Sequence, residues 1–162
     1  MDKKLYYLCR FQLNGSCFVI WYTNDDDGLL HESTGRLFTF STEEGALTHA
    51  AVSGLILEDG PPMHFDFDSL ARWCERPSAE TIDCSGFLNA WNMLFDAGAL
   101  QAGDFDRDVY DKLFWGNNLP AVTPLGETYT PRWTLDEMRK LQLILGRGID
   151  RLRAKLEAAA MP

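Results

Sequence analysis

Asp104, Asp106, Asp108 and Asp111 place four carboxylates within eight positions of the sequence. Carboxylates this close repel one another unless a cation sits among them. A calcium loop of the EF-hand type needs Gly at its sixth position and Glu at its twelfth. Counted from Asp104, those positions hold Val109 and Trp115, so that motif fails. Three readings are left: a magnesium site, an acidic turn leading into a short helix that Asp108 caps, or a patch for a basic partner. Asp25, Asp26 and Asp27 pose the same choice between a solvated hairpin end and a partner patch, and Glu58-Asp59 sits on a Gly-Pro-Pro turn in the same way.

Other chemistries find little footing. His31, His49 and His64 are scattered, with no H-E-x-x-H and no G-x-S-x-G. Cys74 with His64, or Cys84 with His49, would make a thiol-imidazole pair, but nothing in the sequence brings either together. No two of Cys9, Cys17, Cys74 and Cys84 have C-x-x-C spacing, which removes the usual zinc-knuckle and redox motifs. Gly146-Arg147-Gly148 offers two glycines of a dinucleotide fingerprint, but Arg151 stands at the third position and the run lies inside an expected helix. Close approach by another element is the better reading for these glycines. No motif calls for a cofactor.

The 162 residues carry a net charge of −9, unevenly placed. Residues 1–21 hold three bases and one acid, 22–131 five bases and nineteen acids, and 132–162 seven bases and four acids. An acidic body repels a phosphate backbone, so direct nucleic-acid binding is not expected. It favours basic partners by steering their approach, although acidity also serves plain solubility. No apolar run approaches the ~20 residues of a membrane span. Met1 to Tyr7 has no apolar core of a secretory leader, so a cytoplasmic location with free thiols is expected.

The elements that must position these groups are partly legible. Leu5 to Leu13 alternates as a strand, Asn14-Gly15 is a strong hairpin signal, and Cys17 to Thr23 returns. A two-residue turn there would set Cys17 opposite Gln12 and Cys9 opposite Ile20, with the two sulfurs on opposite faces. Leu8, Val19 and Trp21 make the second face partly apolar, so something is expected to cover it. A third strand is expected at Arg36 to Phe40, and a short one at Met63 to Phe67. Helices are expected from a Ser41/Glu44 capping box to Gly54, from Asp68-Ser69 to Pro77, from Asp83 or Ser85 to Gly98, and for one or two turns over Asp108 to Trp115. Gly116 to Thr130 reads as a long ordered loop. Thr134 and Glu137 open the clearest helix, whose stripe is Met138, Leu141, Leu145, Ile149, Leu152 and Leu156. Lys140, Arg147, Arg151 and Lys155 share one side of it, as a basic dock or as partners for the acidic body. The order, strands first and helices after, predicts one α+β domain over 1–162, sheet-rich over 1–67 and helix-rich over 68–162. Its N-terminal antiparallel sheet, with a β-hairpin, is packed by several helices, the last of them long.

Tyr110 to Pro124 is the most individual segment: bulky aromatics, then Gly116-Asn117-Asn118-Leu119-Pro120 and Pro124. With Tyr129-Thr130-Pro131-Arg132-Trp133 and the acidic-started helix after it, this stretch resembles small bacterial immunity proteins, the cytosolic antidotes of polymorphic or contact-dependent toxins. The resemblance covers Tyr110 to Gly148 and carries no contact residue over. It implies a non-enzymatic protein that binds and neutralises a cognate toxin, as a monomer or weak dimer. A nuclease toxin must be basic, so an inhibitor gains from carboxylates where phosphates would lie. The candidate partner-binding residues are therefore Asp25, Asp26, Asp27, Asp104, Asp106 and Asp108. Trp115 reads as core, with an anchor role as the alternative. A carboxylate- and metal-dependent enzyme, or an adaptor that dimerises through the last helix, are the competing functions.

Overall fold

A computed structural model describes residues 3–118 and 131–161. Strands β1 (Leu5–Gln12) and β2 (Ser16–Thr23) form the hairpin. Asn14 and Gly15 take positive φ angles of 53° and 115°, which their types tolerate best. Gln12 pairs with Ser16, so the loop holds three residues rather than the expected two. Three-residue loops with a left-handed position are a standard hairpin closure.

That single extra residue changes every cross-strand pair. Cys17 lies opposite Phe11, and Val19 opposite Cys9. Side chains alternate with a period of two, so the shift exchanges the faces of β2 relative to β1. Cys9, Phe11, Cys17, Val19 and Trp21 therefore pack on one side, and Leu8, Phe18 and Ile20 on the other. The expectation that Cys9 and Cys17 point to opposite faces is corrected; they share a face and are free thiols.

β3 (Gly28–Leu29) pairs antiparallel with β2, and β4 (Met63–Asp66) pairs parallel with β1, giving the order β3-β2-β1-β4. The class is α+β, with a mixed rather than purely antiparallel sheet. Arg36 to Phe40, expected as a strand, touches the sheet only at isolated bridges, Leu37 with His31 and Phe40 with Phe18.

Both sheet faces are covered, as their apolar content requires. Helix α1 (Glu43–Val52) lays Ala46 and Ala50 on Leu8 and Ile20. The larger core lies on the opposite face, where α2 (Phe67–Glu75), α3 (Cys84–Asp96), α4 (Arg107–Asn118) and α5 (Leu135–Ala160) pack. The starts of α1 and α2 differ from expectation by a residue or two, each for a specific hydrogen bond. Thr42, not Ser41, caps α1 by accepting from Gly45 N at 3.0 Å. Asp66, not Asp68, caps α2 through Ser69 N at 2.9 Å. Asp68 is then free to accept from Asn14 N at 2.9 Å, which ties the hairpin tip to α2.

α4 is longer than the one or two turns expected, and it takes in Gly116, Asn117 and Asn118, which read as loop. The remainder of that expected loop, 119–130, lies outside the described residues. Thr134 and Glu137 exchange both bonds of a capping box at the start of α5. Leu141, Leu145, Ile149 and Leu152 from the expected stripe are fully buried. Among the described residues no helix is long and apolar enough to cross a membrane.

Candidate functional site

The acidic residues separate into two groups with different fates. Asp104 ends a 3₁₀ turn (Ala102–Asp104) that faces α5. One carboxylate oxygen accepts from Arg147 Nη1 at 2.9 Å, the other from Arg151 Nη1 at 2.8 Å and from Gln101 N at 2.9 Å. The side chain is only 10% exposed. The Gln101 amide and then the two guanidiniums hold its carboxyl down at about 2. Asp106 caps α4 by accepting from Val109 N at 3.1 Å, and it lies 3.8 Å from Lys140 Nζ. Asp108, expected as that cap, stands exposed in the first turn of the helix instead, because Asp106 already takes the amide. Asp111 pairs with Arg107 at 3.7 Å.

Lys140, Arg147 and Arg151 of α5 thus pair with the protein's own acidic residues, as one of the two readings of that helix side expected. Lys140 also sits 3.4 Å from Asp136, and both neighbours raise its pKa, Asp136 first. Among the described residues, no three His, Cys, Asp or Glu side chains come together to hold a metal ion.

Asp25, Asp26 and Asp27 are different. They form the exposed turn between β2 and β3. Asp27 accepts from Asn24 N at 3.1 Å, which closes the turn. Among the described residues none of the three stands in an ion pair with a cation.

A fourth carboxylate belongs with them. Trp21 Nε1 donates to Asp96 Oδ2 at 3.0 Å, linking β2 to the end of α3. Burial pushes the Asp96 carboxyl up to about 6 against the lowering effect of the Trp21 bond, and the charge of Asp27 adds to the rise. The sequence holds only half of this signal: a Trp on a strand needs an acceptor for its indole N–H. Its acceptor lies 75 residues away, and no local pattern names it.

Asp96 makes stability depend on pH. The folded state takes up a proton near pH 6 that the unfolded chain takes up only near its ordinary 3.8, so Asp96 lowers stability as pH rises through that window. Asp96→Asn keeps an oxygen for the Trp21 N–H and removes the charge. The variant should gain about 1 kcal/mol at pH 7.5, discounted because the carboxyl is half-exposed to screening solvent. The gain should vanish at pH 4, as thermal melts of both proteins at the two pH values would reveal. Asp104 acts with the opposite sign, and its contribution fades only as pH falls from 3.8 towards 2.

Trp115, read as core, is 49% exposed on α4, its ring edge-to-face with Phe114 at 5.4 Å. The histidines and cysteines form no nucleophilic pair among the described residues. His49 lies against the Phe38 and Phe40 rings at 4.6 and 5.1 Å, and His31 Nδ1 donates to Leu29 O at 2.9 Å. Burial pushes the Cys9 thiol up to about 12 and that of Cys74 to about 11, and raises Cys17 and Cys84 as well. Thiolates, the reactive form, are therefore scarce at neutral pH.

In comparisons with known proteins, no family model, curated protein or solved structure matches the chain.

Proposed function

We propose that this chain is a cytosolic immunity protein that binds a basic toxin domain and blocks it. The Asp25–Asp27 turn carries the reading. Three adjacent exposed carboxylates stand without a cation among the described residues, at a point where Asp96 adds further negative charge. Unpaired carboxylates repel one another, and a cationic surface docking on them relieves that. The resemblance of Tyr110 to Gly148 to toxin antidotes supports the same reading. Asp104 and Asp106 enter it as framework, since α5 and the α4 cap already hold them. Asp108 and Trp115, both exposed, are the candidate contacts on α4.

Steering by rim charges acts on the association rate and fades with salt. The test is co-expression with the basic C-terminal domain of a secreted protein encoded beside this chain. Growth should be restored, and the two proteins should co-purify. The triple change Asp25→Lys, Asp26→Lys, Asp27→Lys should slow association about tenfold at low ionic strength, with a smaller effect near 0.5 M salt. Persistent growth arrest without a complex sinks the antidote reading; association at the parental rate removes the turn from the contact.

A further inference from the structure

Asp96 is the only charged residue of α3, and it stands at the helix's C-terminal end. The carbonyl end of a helix dipole disfavours an anion there. Burial and the charge of Asp27 act in the same direction. The Trp21 indole N–H, a neutral donor, makes the one hydrogen bond this carboxylate has among the described residues, and it occupies Oδ2. Oδ1 takes none and is not sealed from solvent. The protein therefore holds an anion in surroundings that work against its charge, open on one side. A carboxylate disfavoured by burial and by a like-charged neighbour is a mark of a site with a task beyond the fold.

Among the described residues no cation answers this charge. Lys155 of α5 reaches the same helix end, where a Cβ on Gly98 would lie 3.5 Å from its Nζ, but it is not within ion-pairing distance of Asp96. Lys4 lies over the Tyr22 ring at 4.5 Å, and Tyr22 faces away from Trp21 because side chains alternate along β2. Asp25, Asp26, Asp27 and Asp96 thus bring four acids to this place, none of them ion-paired among the described residues. Next to Asp96, Phe95 is 50% exposed, and Asn92, one turn back, is exposed and neutral. Tyr110 of α4 donates to Asn92 Oδ1 at 2.8 Å. This ridge of α3 is therefore bounded by α4 at Asn92 and by Trp21 at Asp96.

We propose that this place receives the guanidinium of an arginine side chain presented by the basic partner, with Asp96 and Asp27 as its acceptors and the Phe95 ring as the surface it lies against. The inference rests on the antidote reading and adds to it the side chain that the partner offers. Arginine fits better than lysine. A guanidinium is planar and weakly hydrated, so it enters a half-buried site at lower cost than an ammonium, and it stacks on an aromatic ring. Its several N–H donors can serve two carboxylates at once. Seating it gives Asp96 a countercharge through the open Oδ1 and leaves the Trp21 bond in place.

Hexaarginine and hexalysine, titrated into the folded protein at low ionic strength and pH 7.5, test the site without the partner. Hexaarginine should shift the Trp21 indole N–H resonance saturably and bind about fivefold tighter than hexalysine. Phe95→Ala should abolish that preference, and Asp96→Asn should weaken both peptides about tenfold. Phe95 is half-exposed and asparagine keeps an acceptor for Trp21, so both variants should keep their circular-dichroism spectra; if Phe95→Ala does not, Phe95→Leu serves. An unmoved indole resonance, equal affinity for the two peptides, or parental binding by Asp96→Asn would each overturn the proposal. Co-purification with the partner domain separates the two readings. A complex that forms at parental affinity in both variants keeps the antidote and removes this site. Hexaarginine seated here with no partner complex keeps the site and removes the antidote.

Discussion

Phe11→Ala is expected to cost about 3–5 kcal/mol, a large part of the total stability of an ordinary domain. The ring is fully buried and meets Phe65 edge-to-face at 5.7 Å and Phe67 at 5.2 Å. It therefore joins three elements: β1, β4 and the first turn of α2. Alanine would leave a cavity among side chains that are themselves held by the sheet, with little room to collapse. Denaturant unfolding should give a lower midpoint with an unchanged slope. A loss below 1 kcal/mol would mean that the ring does not occupy the centre of the large core.

Two glycines two residues apart in α5 should respond in opposite directions. A Cβ on Gly148 would lie 2.9 Å from Leu94 Cδ1 and 3.1 Å from Leu100 Cγ. Both leucines are buried, so neither can swing aside at low cost. Overpacking of this kind costs about 1–3 kcal/mol and outweighs the ~1 kcal/mol that alanine gains in helix propensity. Gly148→Ala should therefore melt a few degrees lower. A Cβ on Gly146 would meet nothing within 4 Å, and Gly146→Ala should melt higher by a similar amount. Shifts of the same sign in the two variants would exclude a close α3–α5 crossing at Gly148.

The sequence reading of these glycines as a close approach holds for Gly148 alone. Helical periodicity placed both in α5, but only the path of the Leu94–Leu100 segment decides which of them faces a neighbour. The hairpin repeats the point at smaller scale. Asn14-Gly15 announced the turn, and alternation announced both strands, yet the loop length was ambiguous by one residue. Both faces of the ribbon are apolar, so hydrophobic pattern could not settle the register. Where a periodic stripe coincided with a capping box, as at Thr134 and Glu137, the start of the element was legible to the residue. Helix starts with several neighbouring acids, such as Asp66 with Asp68 or Asp106 with Asp108, were legible only as a cluster, because one hydrogen bond selects the cap.

The candidate site divides along the same line. Composition picked out the acids, and the turn at Asp25–Asp27 is as exposed as its polarity suggested. Pairing across 43 and 47 residues removes Asp104 from the free acids, and no local pattern records those distances. Asp96 escaped notice because it looks ordinary within its own helix.

The parallel pairing of β1 with β4 also bears on how the chain comes off the ribosome. Cys9 has its partner in Met63, so translation at roughly 5–20 residues per second leaves one side of the nascent hairpin bare for several seconds. Phe11 can meet Phe65 and Phe67 only after that interval. During it, the bare side of the hairpin is a natural station for a chaperone, and slowed synthesis between the two strands would lengthen exposure to aggregation without altering the finished molecule.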